Sequence, residues 1–122
     1  MRDLETRADI ELFMKTFYEK LLADPKISYI FTDVAKIDLE AHLPHLTDFW
    51  EQSILRKGSY KKNVLQIHKD LNAKELLTNI HFETWLNHFN TTVDSLFVGD
   101  NTERIKTVAL SIATVMKIKI YT

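Results

Sequence analysis

Between Ala8 and Asp24 the apolar residues Ile10, Phe13, Phe17, Tyr18 and Leu21 recur at the spacing of one helical face, and Asp24-Pro25 ends the run. The pattern predicts a first helix there. From Ile27 to Val34 the chain is apolar, with Tyr29, Ile30 and Phe31 adjacent, but too short to show a period; a tight helical turn packed on the core suits it. Asp38 is placed to cap a helix from Leu39 to Arg56, whose apolar face is Leu39, Leu43, Leu46, Phe49, Trp50 and Ile54. Pro44 interrupts that face. Because proline is tolerated in a first helical turn, the helix is expected either to start near Ala41 to Leu43 or to kink at Pro44.

Gly58-Ser59 ends that helix, residues Lys57 to Asn63 read as a polar loop, and Val64 to Asp70 as a short helix carrying His68. Asn72-Ala73-Lys74-Glu75 has the form of a capping box. A strong period runs from Ile80 to Phe97 through Phe82, Trp85, Leu86, Phe89, Val93 and Leu96, and Gly99 closes it. Asp100-x-x-Glu103 is a second capping box, opening a last helix on Ile105, Val108, Ala109, Ile112, Val115 and Met116. The alternation Lys117-Ile118-Lys119-Ile120 leaves its end open. With no internal repeat or linker, residues 1–122 are expected to form a single all-α domain.

Composition sharpens this. Two glycines and two prolines occur where average usage gives about fifteen, so turns are few and helices long. Sixteen basic residues balance seventeen acidic ones, which gives no reason to expect nucleic acid or an anionic membrane as partner. No apolar run is long enough to span a bilayer, and Met1-Arg2-Asp3-Leu4-Glu5 is not the start of a signal peptide, so a cytoplasmic location is expected. The absence of cysteine excludes disulfides, thiolate metal sites and covalent haem attachment. Phosphate-loop, dinucleotide, serine-hydrolase and zincin motifs are absent, and no glutamate has a histidine three residues later as a di-iron bundle requires.

What remains is a set of histidines and large aromatics among apolar helical positions. His68 shares its face with Val64, Leu65 and Leu71. A buried imidazole there is either a core histidine bonded to a carbonyl or an iron ligand in a dry haem pocket. Tyr18, His42 and Trp85 lie on three separate helices, each an apolar body with an O–H or N–H donor. They are ordinary core aromatics, or they converge on a ligand that takes up partial negative charge from ferrous haem. His42-x-x-His45 is half a zinc site at most, or a solvated face.

The segments Phe17-Tyr18-Glu19-Lys20, Tyr29-Ile30-Phe31, His42 followed by Asp48-Phe49-Trp50, His68, and His81-Phe82-x-x-Trp85-Leu86-x-x-Phe89 resemble, in order and spacing, the group III truncated haemoglobins, over Ile10 to Val115. The resemblance implies a truncated globin-like two-over-two helical sandwich enclosing a non-covalent haem b. It implies His68 as proximal ligand of a five-coordinate iron, with Tyr18, His42 and Trp85 as distal residues. Phe31, Leu46, Trp50 and Leu65 would line the cofactor, and Tyr60, Lys61 and Lys62 lie where a cation could reach a propionate. Pro44 departs from the pattern and is expected to threaten the placement of His42, with His45 as rival occupant. The implied function is binding of dioxygen and other diatomics, with redox detoxification (nitric oxide dioxygenation or peroxide activation, fed by a separate reductase) ahead of oxygen transport. A haem-based sensor or haem-carrying interaction module without turnover is the alternative.

Overall fold

A computed structural model describes residues 1–34, 36, 38–55 and 77–121. The described residues form four α-helices and no strand: α1 (Arg7–Ala23), α2 (Leu39–Trp50), α3 (Asn79–Leu96) and α4 (Asp100–Tyr121). A π-helical turn, Ile30–Val34, lies between α1 and α2, and a second, Glu51–Leu55, prolongs α2. Helix α1 packs on α2 and on α3, α3 packs on α4, and the π-helical end of α2 meets α4. Two helix pairs are thereby stacked, the expected two-over-two arrangement.

Phe89 of α3 is the centre of this core. Its ring is fully buried and lies 4.8 Å from Phe13, 5.2 Å from Phe17, 5.2 Å from Trp50 and 5.1 Å from Trp85, so one side chain joins three helices. Burial of each such aromatic contributes roughly 1.5–3 kcal/mol. Phe13, near the middle of α1, meets Phe89, while Asp24 beyond its carboxyl end meets neighbouring His88. Eleven residues of helix rise about 16 Å, so α1 crosses α3 steeply and does not run along it.

Helix α1 opens on a capping box absent from the sequence reading: Thr6 Oγ1 accepts from the Asp9 amide, and Asp9 accepts from the Thr6 amide. The C-cap is Asp24, as the Asp24-Pro25 break predicts. The Arg7 guanidinium fastens α1 to α2 through Asp48 at 2.8 Å and Glu51 at 3.0 Å. Helix α2 starts at Leu39, not at Ala41 to Leu43: Asp38 accepts from the Glu40 amide with its side chain and from the His42 amide with its carbonyl. Pro44 therefore sits inside the helix. The carbonyl left without its usual donor is that of Glu40, an exposed residue whose carbonyl water can serve.

The box at Asp100 and Glu103 does not form. Asp100 is already the first residue of α4, and the amides of Asn101 and Thr102 donate to the carboxylate of Asp3, both at 2.8 Å. Thr102 Oγ1 donates to the same carboxylate, the Asn101 side chain donates to the Leu4 carbonyl, and the Val98 amide donates to the Arg2 carbonyl. Gly99 makes this approach possible. Its φ is +146°, and a Cβ there would stand 2.5 Å from Asp3 Cγ. The end of α4 is resolved in favour of helix, since the alternating Lys117 to Ile120 segment continues it to Tyr121.

Candidate functional site

Tyr18 stands on the inward face of α1, 6% exposed. Its ring meets Phe31 edge-on at 5.5 Å and His42 at 5.9 Å, bringing together residues of α1, the following π-helical turn and α2. Phe17, next in sequence, lies 5.3 Å from Tyr18 and 5.6 Å from Trp85, so Trp85 joins the cluster through Phe17 and stacks on Phe89. Three of the expected distal residues are thus assembled in one aromatic wall, with Tyr18 and His42 in direct contact and Trp85 one ring away. Leu46, one turn beyond His42, is half-buried against the core; Trp50 is 3% exposed and lies between Phe49 and Phe89.

Pro44 does not displace His42, which is half-buried with its ring against Tyr18, whereas His45 is exposed. The rival occupant is excluded by helical phase. Starting the helix at Leu39 puts His42 on the face of Leu39, Leu43 and Leu46, and turns His45 outward. The half zinc site finds no completion: among the described residues no three metal-ligating side chains come together.

Burial alone raises the pKa of Tyr18, because it disfavours the phenolate. The hydroxyl is therefore a proton donor throughout the physiological range. No described residue shares a hydrogen bond with it. A largely buried phenol without an internal partner is a group whose acceptor comes from outside the chain.

Two histidines of α3 carry polar contacts that sequence reasoning left unassigned. His81 is the third residue of α3 and completes a capping box with Thr78, its Nδ1 accepting from the Thr78 amide at 3.1 Å. Its Nε2 is 2.7 Å from the Tyr29 hydroxyl. His88 Nε2 lies 2.7 Å from Asp24 Oδ2. The hydrogen bond from His88, then that from the Lys26 amide, holds the Asp24 carboxyl below its ordinary pKa despite some opposing burial. No local signal marks His81 as a cap, since Glu or Gln normally fills that position. His68 and the proposed lining residues Tyr60, Lys61, Lys62 and Leu65 lie outside the described residues, as do the box Asn72 to Glu75 and the short helix Val64 to Asp70.

No protein-family model matches the chain, and no curated protein does. Among solved structures, a group III truncated hemoglobin from Campylobacter jejuni superposes with a TM-score of 0.88 at 23% identity, covering 100% of this chain and 97% of that one. The chain has the truncated-globin fold. No helix among the described residues is long and apolar enough to cross a membrane.

Proposed function

From a truncated-globin fold whose aromatic wall offers hydrogen-bond donors, we propose that this chain is a haem b protein that binds dioxygen and related diatomics, with His68 as the proximal ligand. The observation that carries the reading is the Tyr18 hydroxyl, on a largely buried ring, kept protonated, and without a hydrogen-bond partner among the described residues. That donor fits a ligand acquiring negative charge, and the rings of Phe31 and Trp85 fit a flat apolar cofactor. Haem iron, when bound, supplies the coordination site for the gas and one-electron redox chemistry. Every other part of the function falls to the protein.

Tyr18 donates its O–H to the ligand, and His42, held against the phenol ring, is the nearest second donor. Trp85 closes the wall from α3, with its indole fixed by the stack on Phe89. Phe31 and Leu46 keep water out, which strengthens each donor. Hydrogen bonds to charged groups contribute roughly 1.5–3 kcal/mol each, and about 1.4 kcal/mol is tenfold in an equilibrium constant. A site with such donors retains its ligand too long for simple transport. We therefore place the activity in redox detoxification, nitric oxide dioxygenation or peroxide activation, with electrons from a separate reductase. A sensor or haem-carrying module is the second reading; turnover of nitric oxide under a reducing supply separates them.

The deciding experiment is the absorption spectrum of the purified chain reconstituted with haem, in ferric, ferrous and oxygen-exposed forms, beside His68→Ala. A stoichiometric Soret band that shifts on reduction and oxygen exposure, and is lost or strongly altered in the variant, is expected. Absence of stoichiometric haem uptake overturns the proposal.

A further inference from the structure

The connection from α1 to α2 is held to α3 at two points. Asp24, the C-cap of α1, bonds His88, and Tyr29, just before the π-helical turn, bonds His81. The two histidines are seven residues apart, one face of α3 separated by about 10 Å. Between their two bonds runs a tight turn closed by the Ile27 and Ser28 amides on the Asp24 carbonyl and by the Ile30 amide on the Ile27 carbonyl. Phe31, two residues beyond Tyr29, is the ring that walls Tyr18. Nothing in the functional reading above uses either histidine.

We propose that His81 and His88 are positioning residues, a two-point clamp that holds the turn carrying Phe31 against Tyr18. The inference rests on the functional reading only for what Tyr18 and Phe31 face. The two points differ chemically. Because His81 Nδ1 accepts the Thr78 amide, the ring proton is on Nε2, which donates to the Tyr29 oxygen; this assignment comes from the hydrogen-bond network. That end is a bond between neutral groups. His88 faces a carboxylate in a surface groove of about 370 Å³ lined by Lys20, Ala23, Asp24, Pro25 and His88, with Lys26 next along the turn. This end is a hydrogen bond to a charged acceptor, stronger than the neutral one at Tyr29.

Amide hydrogen exchange at Ile27, Ser28 and Ile30 in the full-length haem-loaded protein, read beside the rate of oxygen dissociation, tests the clamp. Tyr29→Phe and His88→Ala are each expected to lower protection about threefold to fivefold, and the double variant by about the product, since the bonds are separate. His88→Gln, a neutral donor, should restore much of the protection that His88→Ala loses. Oxygen dissociation is expected to speed up in the same order as protection is lost. Unchanged protection in the double variant overturns the clamp. Lost protection with unchanged dissociation overturns its positioning role. If the chain takes up no haem, the functional reading fails by itself, and the exchange measurement, repeated on that protein, still decides the clamp.

Discussion

At the amino-terminal clasp and at the aromatic wall, the same fold treats polar atoms in opposite ways. The Asp3 carboxylate accepts from the Leu4, Asn101 and Thr102 amides and from the Thr102 hydroxyl. Asp9 nearby accepts from the Glu5 and Thr6 amides and from the Arg2 guanidinium. Tyr18 is about as buried as Asp9, and its hydroxyl is bonded to no described residue. A saturated carboxylate fixes one geometry and has little capacity left for a ligand; a phenol with its proton unspent contributes little to folding and is available for recognition.

The contrast breaks most severely at Gly99. Gly99→Ala forces a side chain onto Asp3 at a φ only glycine adopts readily, and should destabilise the protein by about 3 kcal/mol or more in urea unfolding. Asp3→Ala, which strips the first turn of α4 of its acceptor, should cost about 2–3 kcal/mol by the same measurement. Tyr18→Phe should leave the unfolding midpoint almost unmoved while raising the oxygen dissociation rate about tenfold, as stopped-flow spectroscopy would show. An unchanged rate would remove Tyr18 from the donor role.

Acid sharpens the comparison further. Burial pushes the carboxyls of Asp3 and Asp9 up, but the amides of Asn101 and Glu5 respectively, joined by their other donors, outweigh it, so both lie below the ordinary carboxylate range. Lowered folded values mean that the unfolded chain binds more protons, so the stabilisation is complete above about pH 4 and is lost as pH falls through the folded values. A urea midpoint that declines below pH ~4, and declines less in Asp3→Asn, is expected. The smallest effect belongs to Thr92. Its Oγ1 is buried without a partner in the helix core, and Thr92→Val should change stability by less than about 1 kcal/mol, in the stabilising direction.

How much of this could be read from sequence depended on the range of each interaction. The face of α1 from Ile10 to Leu21 and that of α3 from Phe82 to Val93 obey a local period, and their bounds were predicted within a residue or two. The capping of α4 was misread because Asp100 and Glu103 have the right spelling, while the acceptor is a carboxylate 98 residues upstream, beyond any local rule. Pro44 looked disruptive because sequence does not say that the bereft carbonyl belongs to an exposed turn. At the site, periodicity brought Tyr18, His42 and Trp85 to apolar faces, but only the resemblance put them in one place. Neither revealed that Phe17 would stand between Tyr18 and Trp85. The contacts of His81 and His88 escaped altogether, since their partners Tyr29 and Asp24 are 52 and 64 residues away.

The clasp also sets a timetable. A ribosome makes Asp3 98 residues before Asn101, an interval of roughly 5–20 s at about 5–20 residues per second. Throughout that wait the carboxylate has no helix to cap and Leu4, wholly enclosed in the finished protein, has no place to go. Helix α1 and its box can form during synthesis, but the amino-terminal arm docks only when α4 emerges. Docking of the arm is therefore gated by the first turn of α4.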